Sequence, residues 1–92
     1  MSGPPIDLPL GAMVRERLSA LLGRLEGRPV PQLYRVVLEE VERGIFGAAL
    51  DRANGEVGLA ARLLGVDRNT VARKAKALGL ITRGRGRPRK GQ

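Results

Sequence analysis

Cysteine, histidine and tryptophan are absent from this 92-residue chain, and its aromatics are one tyrosine and one phenylalanine. Without thiols there is neither a disulfide framework nor a thiolate nucleophile. Without imidazole there is no zinc-finger ligand set and no histidine acid or base. These absences remove most ways in which so short a domain could be an enzyme, so no catalytic residue, metal, cofactor or small-molecule substrate is expected. No apolar run approaches the roughly 20 residues that span a bilayer, and residues 1–10 lack a basic stretch followed by an apolar one. The expected location is the cytoplasm, with no membrane contact. Hydrophobic residues at 42% are enough for one small soluble domain.

Acids are missing from one end. Residues 1–53 hold seven arginines and seven acids, whereas residues 54–92 hold ten bases against Glu56 and Asp67 alone, so the whole net charge of +8 lies in the last part of the chain. After Asp67 there is no acid at all. Such a segment gathers counter-anions and attracts a polyanion such as nucleic acid, while a merely solubilising basic surface is the plainer alternative.

Residues 1–9 contain Pro4, Pro5, Pro9 and Gly3, which predicts a short flexible leader. Apolar periodicity then begins: Leu10, Met13, Val14, Leu18, Leu21, Leu22 and Leu25 cover about half of a helical circumference. Gly27 and Arg28-Pro29-Val30-Pro31 end this first helix near Glu26. A second helix is predicted from about Gln32 to Ala53, with Leu33, Val36, Val37, Val41, Ile45 and Ala48 on one side. Phe46 and Leu50 break that pattern, so the stretch from Ile45 to Leu50 should be apolar nearly all round and surrounded by other elements. Gly44 and Gly47 each disfavour a helix interior by about 1 kcal/mol relative to alanine, which suggests a close helix crossing or a bend there.

Asn54-Gly55 marks a turn, followed by a short third helix holding Val57, Leu59, Ala60, Ala61, Leu63 and Leu64. Gly65-Val66 leads to a fourth helix from Arg68 to about Leu78, with Asp67 placed to cap it, a bond worth about 1 kcal/mol, and Gly79 to stop it. Short helix, glycine turn and second helix form the helix-turn-helix plan. Gly65 supplies the positive φ, Ala61 the small residue at the crossing, and Leu64, Val66 and Val71 the apolar wedge. Val71, Ala75 and Leu78 fall within about 60° of one another on the fourth helix, leaving Asn69, Thr70, Arg73, Lys74 and Lys76 outside. A helix with that outer face can enter a major groove, its first residues on base edges and its later bases on phosphates.

The stretch from Leu33 to Leu80, LYRVVLEEVERGIFGAALDRANGEVGLAARLLGVDRNTVARKAKALGL, resembles the Fis (factor for inversion stimulation) family. The likeness rests on the opening Leu33-Tyr34, Val37-Leu38 and Glu40-Val41-Glu42 and on the turn Gly65-Val66 followed by Arg68-Asn69-Thr70, and it extends back to about Pro9. The resemblance implies an all-α, four-helix fold. It implies that two copies form an intertwined homodimer through the first two helices, about residues 10–53, and that the helix-turn-helix, about 56–79, binds and bends double-stranded DNA. It also implies a bacterial nucleoid-associated protein or transcription regulator. By position, Arg68 matches the family arginine that reaches a base edge, and Thr70, Arg73 and Lys74 match recognition-helix contacts. The chain departs from the family pattern at Asp67, at Ala72, and at Glu56-Val57-Gly58-Leu59, where the family has polar groups at the start of the third helix. Phosphate contacts from that helix are therefore not carried over. The hairpin arm by which the family's founding member activates a DNA invertase is not expected from nine residues with three prolines.

From Arg83 to Gln92 the chain is nearly all glycine, proline and base with nothing to build a core, and residues 81–92 are expected to be a disordered basic tail. Within it Arg85-Gly86-Arg87-Pro88-Arg89-Lys90 resembles an AT-hook, in which an extended backbone lets two arginines enter a narrow A·T minor groove. A generic basic tail is the alternative. A homodimer is also expected without the resemblance, because about 80 residues with two aromatics make a marginal core and the apolar faces of the first two helices exceed what one hairpin covers. An RNA-binding protein using the basic tail, or a protein-interaction adaptor using the helical core, remain rival readings.

Overall fold

The computed structural model describes residues 8–80, which form four helices: α1 (Leu10–Leu25), α2 (Leu33–Arg52), α3 (Val57–Leu64) and α4 (Arg68–Ala77). No strand occurs among the described residues. Most of the expected leader and the whole tail, with Arg85, Arg87, Arg89 and Lys90, lie outside them. The chain divides into two units after Pro31.

The first unit holds α1. None of its residues is buried; Leu10, Met13, Val14 and Leu22 are exposed, and Leu18, Leu21 and Leu25 are half-buried. The helix stops where glycine was expected to stop it, with Glu26 and Gly27 both left-handed at φ 54° and 81°.

The second unit packs α2, α3 and α4 around a core of Phe46, Ala49, Leu50, Ala53, Ala60, Ala61, Val71, Ala75 and Leu78. Five of these are alanines, so Phe46, Leu50, Val71 and Leu78 are set among single methyl groups. On α2 the buried set Phe46, Ala49, Leu50 and Ala53 follows the i, i+3, i+4, i+7 spacing of one helical face. The stripe of Leu33, Val37, Val41 and Ala48 lies on the opposite side of the same helix, by the rotation of about 100° per residue. Helix α2 is thus two-faced, which is why its second half reads as apolar all round. Only one face is covered: Ile45 remains 41% exposed and Val41 37%, so the expectation that other elements surround the Ile45–Leu50 stretch holds on one side only.

Each helix of this unit ends in the same device. Gly55 N–H donates to the Leu50 carbonyl and Asn54 N–H to that of Asp51. Val66 and Gly65 repeat the pair on Ala61 and Arg62, and Leu80 and Gly79 repeat it on Ala75 and Lys76. These are Schellman motifs, which satisfy the last free carbonyls through one left-handed residue. That residue is Asn54, Gly65 or Gly79, at φ 55°, 72° and 71°.

Three local expectations need correction. Asp67 occupies the N-cap of α4 in extended conformation, but its side chain makes no capping bond; only its carbonyl accepts from Thr70 and Val71. At Gly44 and Gly47 a Cβ would meet nothing within 4 Å, and α2 runs through them unbroken, so among the described residues no close crossing explains them. Val66 is 40% exposed rather than wedged between the helices, because the Schellman turn holds its backbone on the outside of the corner.

Candidate nucleic-acid interface

The interface is built on α4, which is positioned from both ends. At its start, the turn through Gly65 delivers the chain from α3, so that Val71 and Ala75 bury against Ala60 and Ala61. Val71 is wholly buried, and Leu78 closes the seam about two turns later. With Val71 as origin, Arg73 and Asn69 lie about 160° away on the far side of α4 and Lys76 about 140° away; all three are exposed. The spacing predicted these three outside together with Thr70 and Lys74, and for those two the expectation is corrected. Thr70 and Lys74 fall nearer the seam, within about 100° and 60° of Val71, and both are half-buried.

Lys74 is engaged inside the molecule. Its Nζ donates to the Glu42 carboxylate on α2 at 2.9 Å. The next residue of α2, Arg43, donates to the carbonyl of Leu78 at the end of α4 and lies 3.5 Å from Glu40. Neither Glu42 nor Arg43 is singled out by sequence spacing, since the pairing spans 32 residues; the signal that existed was the position of Lys74 beside the buried seam.

Between α3 and α4 runs an open groove of about 740 Å³. Val57, Leu59, Ala72, Ala75 and Leu80 give it apolar lining, and Arg62, Arg68 and Lys76 give it positive charge, with Glu56 the one acid. Arg68 therefore stands at the α3 side of α4, with its Nε 3.8 Å from where a side chain on Gly58 would begin. Arg62 also belongs to this basic cluster, although the sequence marks it only as one base among many. Charge, hydrogen-bonding groups and an open helix face are thus gathered on one side of the unit, suited to the phosphates and base edges of a duplex. Among the described residues there is no cluster of metal-ligating side chains and no helix long and apolar enough to cross a membrane.

Comparison with known proteins agrees with this geometry. Residues 37–78 match the family model described as bacterial regulatory protein, Fis family. The chain is 35% identical over 72 residues to the DNA-binding protein Fis of Aliivibrio fischeri, covering 78% of this chain and 74% of that protein. It is 33% identical over 76 residues to that of Tolumonas auensis, covering 83% and 77%, and 33% identical over 79 residues to that of Psychromonas ingrahamii, covering 86% and 80%. No solved structure is a match. An all-α unit ending in a helix-turn-helix, matched along most of its length by these relatives, makes the chain a member of the Fis family.

Proposed function

We propose that this chain is a homodimeric, non-enzymatic protein that binds and bends double-stranded DNA in the bacterial nucleoid and regulates transcription there. The observation that carries the reading is the exposed basic side of α4: Asn69, Arg73 and Lys76 lie opposite a seam of Val71, Ala75 and Leu78, and Arg68, exposed at the α3 side, lines the groove with Lys76 and with Arg62 of α3. In this reading Arg68, Asn69 and Thr70 meet base edges in the major groove, and Arg73 and Lys76 meet phosphates. The printed names of the relatives, DNA-binding protein Fis, support it.

The homodimer is supported by what one copy leaves uncovered. The exposed apolar side of α1 and the Leu33, Val37, Val41 and Ala48 stripe of α2 are surfaces that a second copy would bury. Two copies related by a twofold axis present two α4 helices to a quasi-palindromic site. The segment with Arg85, Arg87, Arg89 and Lys90 adds a second contact, its two leading arginines in an A·T minor groove. RNA binding gains no such support: of the two aromatics, Phe46 is buried and Tyr34 alone is exposed, which gives no stacking platform for unpaired bases.

Mobility shift on circularly permuted duplexes tests the reading. Retardation should vary with the position of the site, Arg68→Ala should lose about 1–3 kcal/mol of binding as a base-edge contact does, and Arg73→Ala should lose less, as a phosphate contact does. Unchanged binding by the double variant would leave the adaptor reading in its place. Truncation after Thr82 should weaken binding most on A-tract DNA; equal weakening on G·C-rich DNA would make the tail a generic basic one.

A further inference from the structure

We propose that Glu42 and Arg43 are positioning residues that set how α4 is presented to a duplex, and that Lys74 belongs to this clamp and not to the phosphate-binding set. The inference rests on the DNA-reading function proposed above. On α2, Glu42 and Arg43 lie about 40° and 60° to either side of Phe46, one turn before it, so the buried apolar face of α2 continues into a charged one. The clamp meets α4 at two points one turn apart. Glu42 accepts from the Lys74 ammonium at 2.9 Å, with the two side chains 37% and 32% exposed. Arg43 donates to the Leu78 carbonyl, beyond the last turn of α4. The last carbonyls of a helix lack intrahelical partners and carry the negative end of its dipole, so a guanidinium there meets both a hydrogen-bond need and a charge.

Two polar tethers one turn apart, added to the Val71 and Ala75 seam, resist both rotation of α4 about its axis and tilting of its far end. The consequence for binding is specific. An ammonium already bonded to a carboxylate makes a neutral pair and offers little to a phosphate unless that bond is broken. Arg73, the adjacent base, points about 100° away from Lys74 around α4 and is exposed. Arg73 therefore carries the phosphate contact that the sequence divides between the two, while Glu42 keeps Lys74 from adding binding indifferent to sequence.

The test is fluorescence anisotropy with the full chain between 50 and 200 mM salt (about the range over which phosphate contacts are read). The probes are a random-sequence duplex and a duplex enriched from a random pool on the unaltered protein. Arg73→Met should flatten the slope of log affinity against log salt by about 0.9 per chain. Lys74→Met should leave that slope unchanged. Glu42→Gln should steepen it by about 0.9 and lower the preference for the enriched duplex; adding Lys74→Met to Glu42→Gln should restore the slope but not the preference. The proposal is overturned if Lys74→Met flattens the slope as Arg73→Met does, or if Glu42→Gln changes neither quantity. Absence of salt-dependent binding by the unaltered chain would instead remove the DNA-reading function and this role with it. Thermal melts of Glu42→Gln, Lys74→Met and the double variant judge the tether separately: non-additive shifts support it, and additive shifts overturn it.

Discussion

Replacing Val71 with alanine removes two methyl groups from the one large side chain that is wholly buried in the second unit. Loss of their transfer from water amounts to about 1.6 kcal/mol, and the void left in the core adds about 1 kcal/mol. Alanine's better helix propensity returns about half a kcal/mol, leaving a net destabilisation of about 2 kcal/mol. For a domain of this size that lowers the melting midpoint by about 8–16 °C. Circular dichroism at fixed protein concentration measures it, the concentration being held constant because association would itself move the midpoint. Val66→Ala is the matched control. It deletes the same atoms at a position that is 40% exposed, so its midpoint should fall by a few degrees at most. Equal losses at the two positions would refute the assignment of the Val71 seam as the contact that fixes α4.

Gly65→Ala places a Cβ in open space but at φ 72°; it should cost about 1–2 kcal/mol in a chemical melt, through backbone strain alone, and Gly65→Asn should cost less. Asp67→Ala should lower stability by only a few tenths of a kcal/mol, well below the usual loss of about 1 for a cap residue, because no side-chain capping bond is present. The same change removes a carboxylate beside Arg68 and should tighten duplex binding in an anisotropy titration. Val41→Lys, on the uncovered stripe of α2, should convert a dimer into monomers by light scattering while leaving the helical spectrum largely intact; a monomeric unaltered chain would remove the homodimer from the proposal.

The turns are where sequence and structure agree most closely. Asn54-Gly55, Gly65 and Gly79 each end a helix within a residue of the expected place, because a Schellman motif needs a left-handed residue and few types supply one cheaply. The inward set of α4 was equally legible, since Val71, Ala75 and Leu78 repeat with the helical period. Contacts between elements were not. The pairing of Glu42 with Lys74 depends on how α2 crosses α4, which no local spacing encodes. The cap expected of Asp67 failed for a related reason: residue type allows a capping bond, but the rotamer that makes it is one of several open to an exposed side chain. Gly44 and Gly47 follow neither pattern, and nothing among the described residues explains them.

Ala49, Ala53, Ala60, Ala61 and Ala75 are five of the nine buried residues through which the reading unit is assembled. Alanine has no side-chain torsion that could relocate a heavy atom, so such a contact cannot be repacked by swapping rotamers. Its spacing is dictated by the backbones themselves. Any larger residue there would wedge the helices apart and re-aim everything beyond them, whereas the outward positions can be exchanged without touching that chassis. New target preferences are therefore open to this protein by changing its exterior, on an internal frame that has almost no latitude to drift.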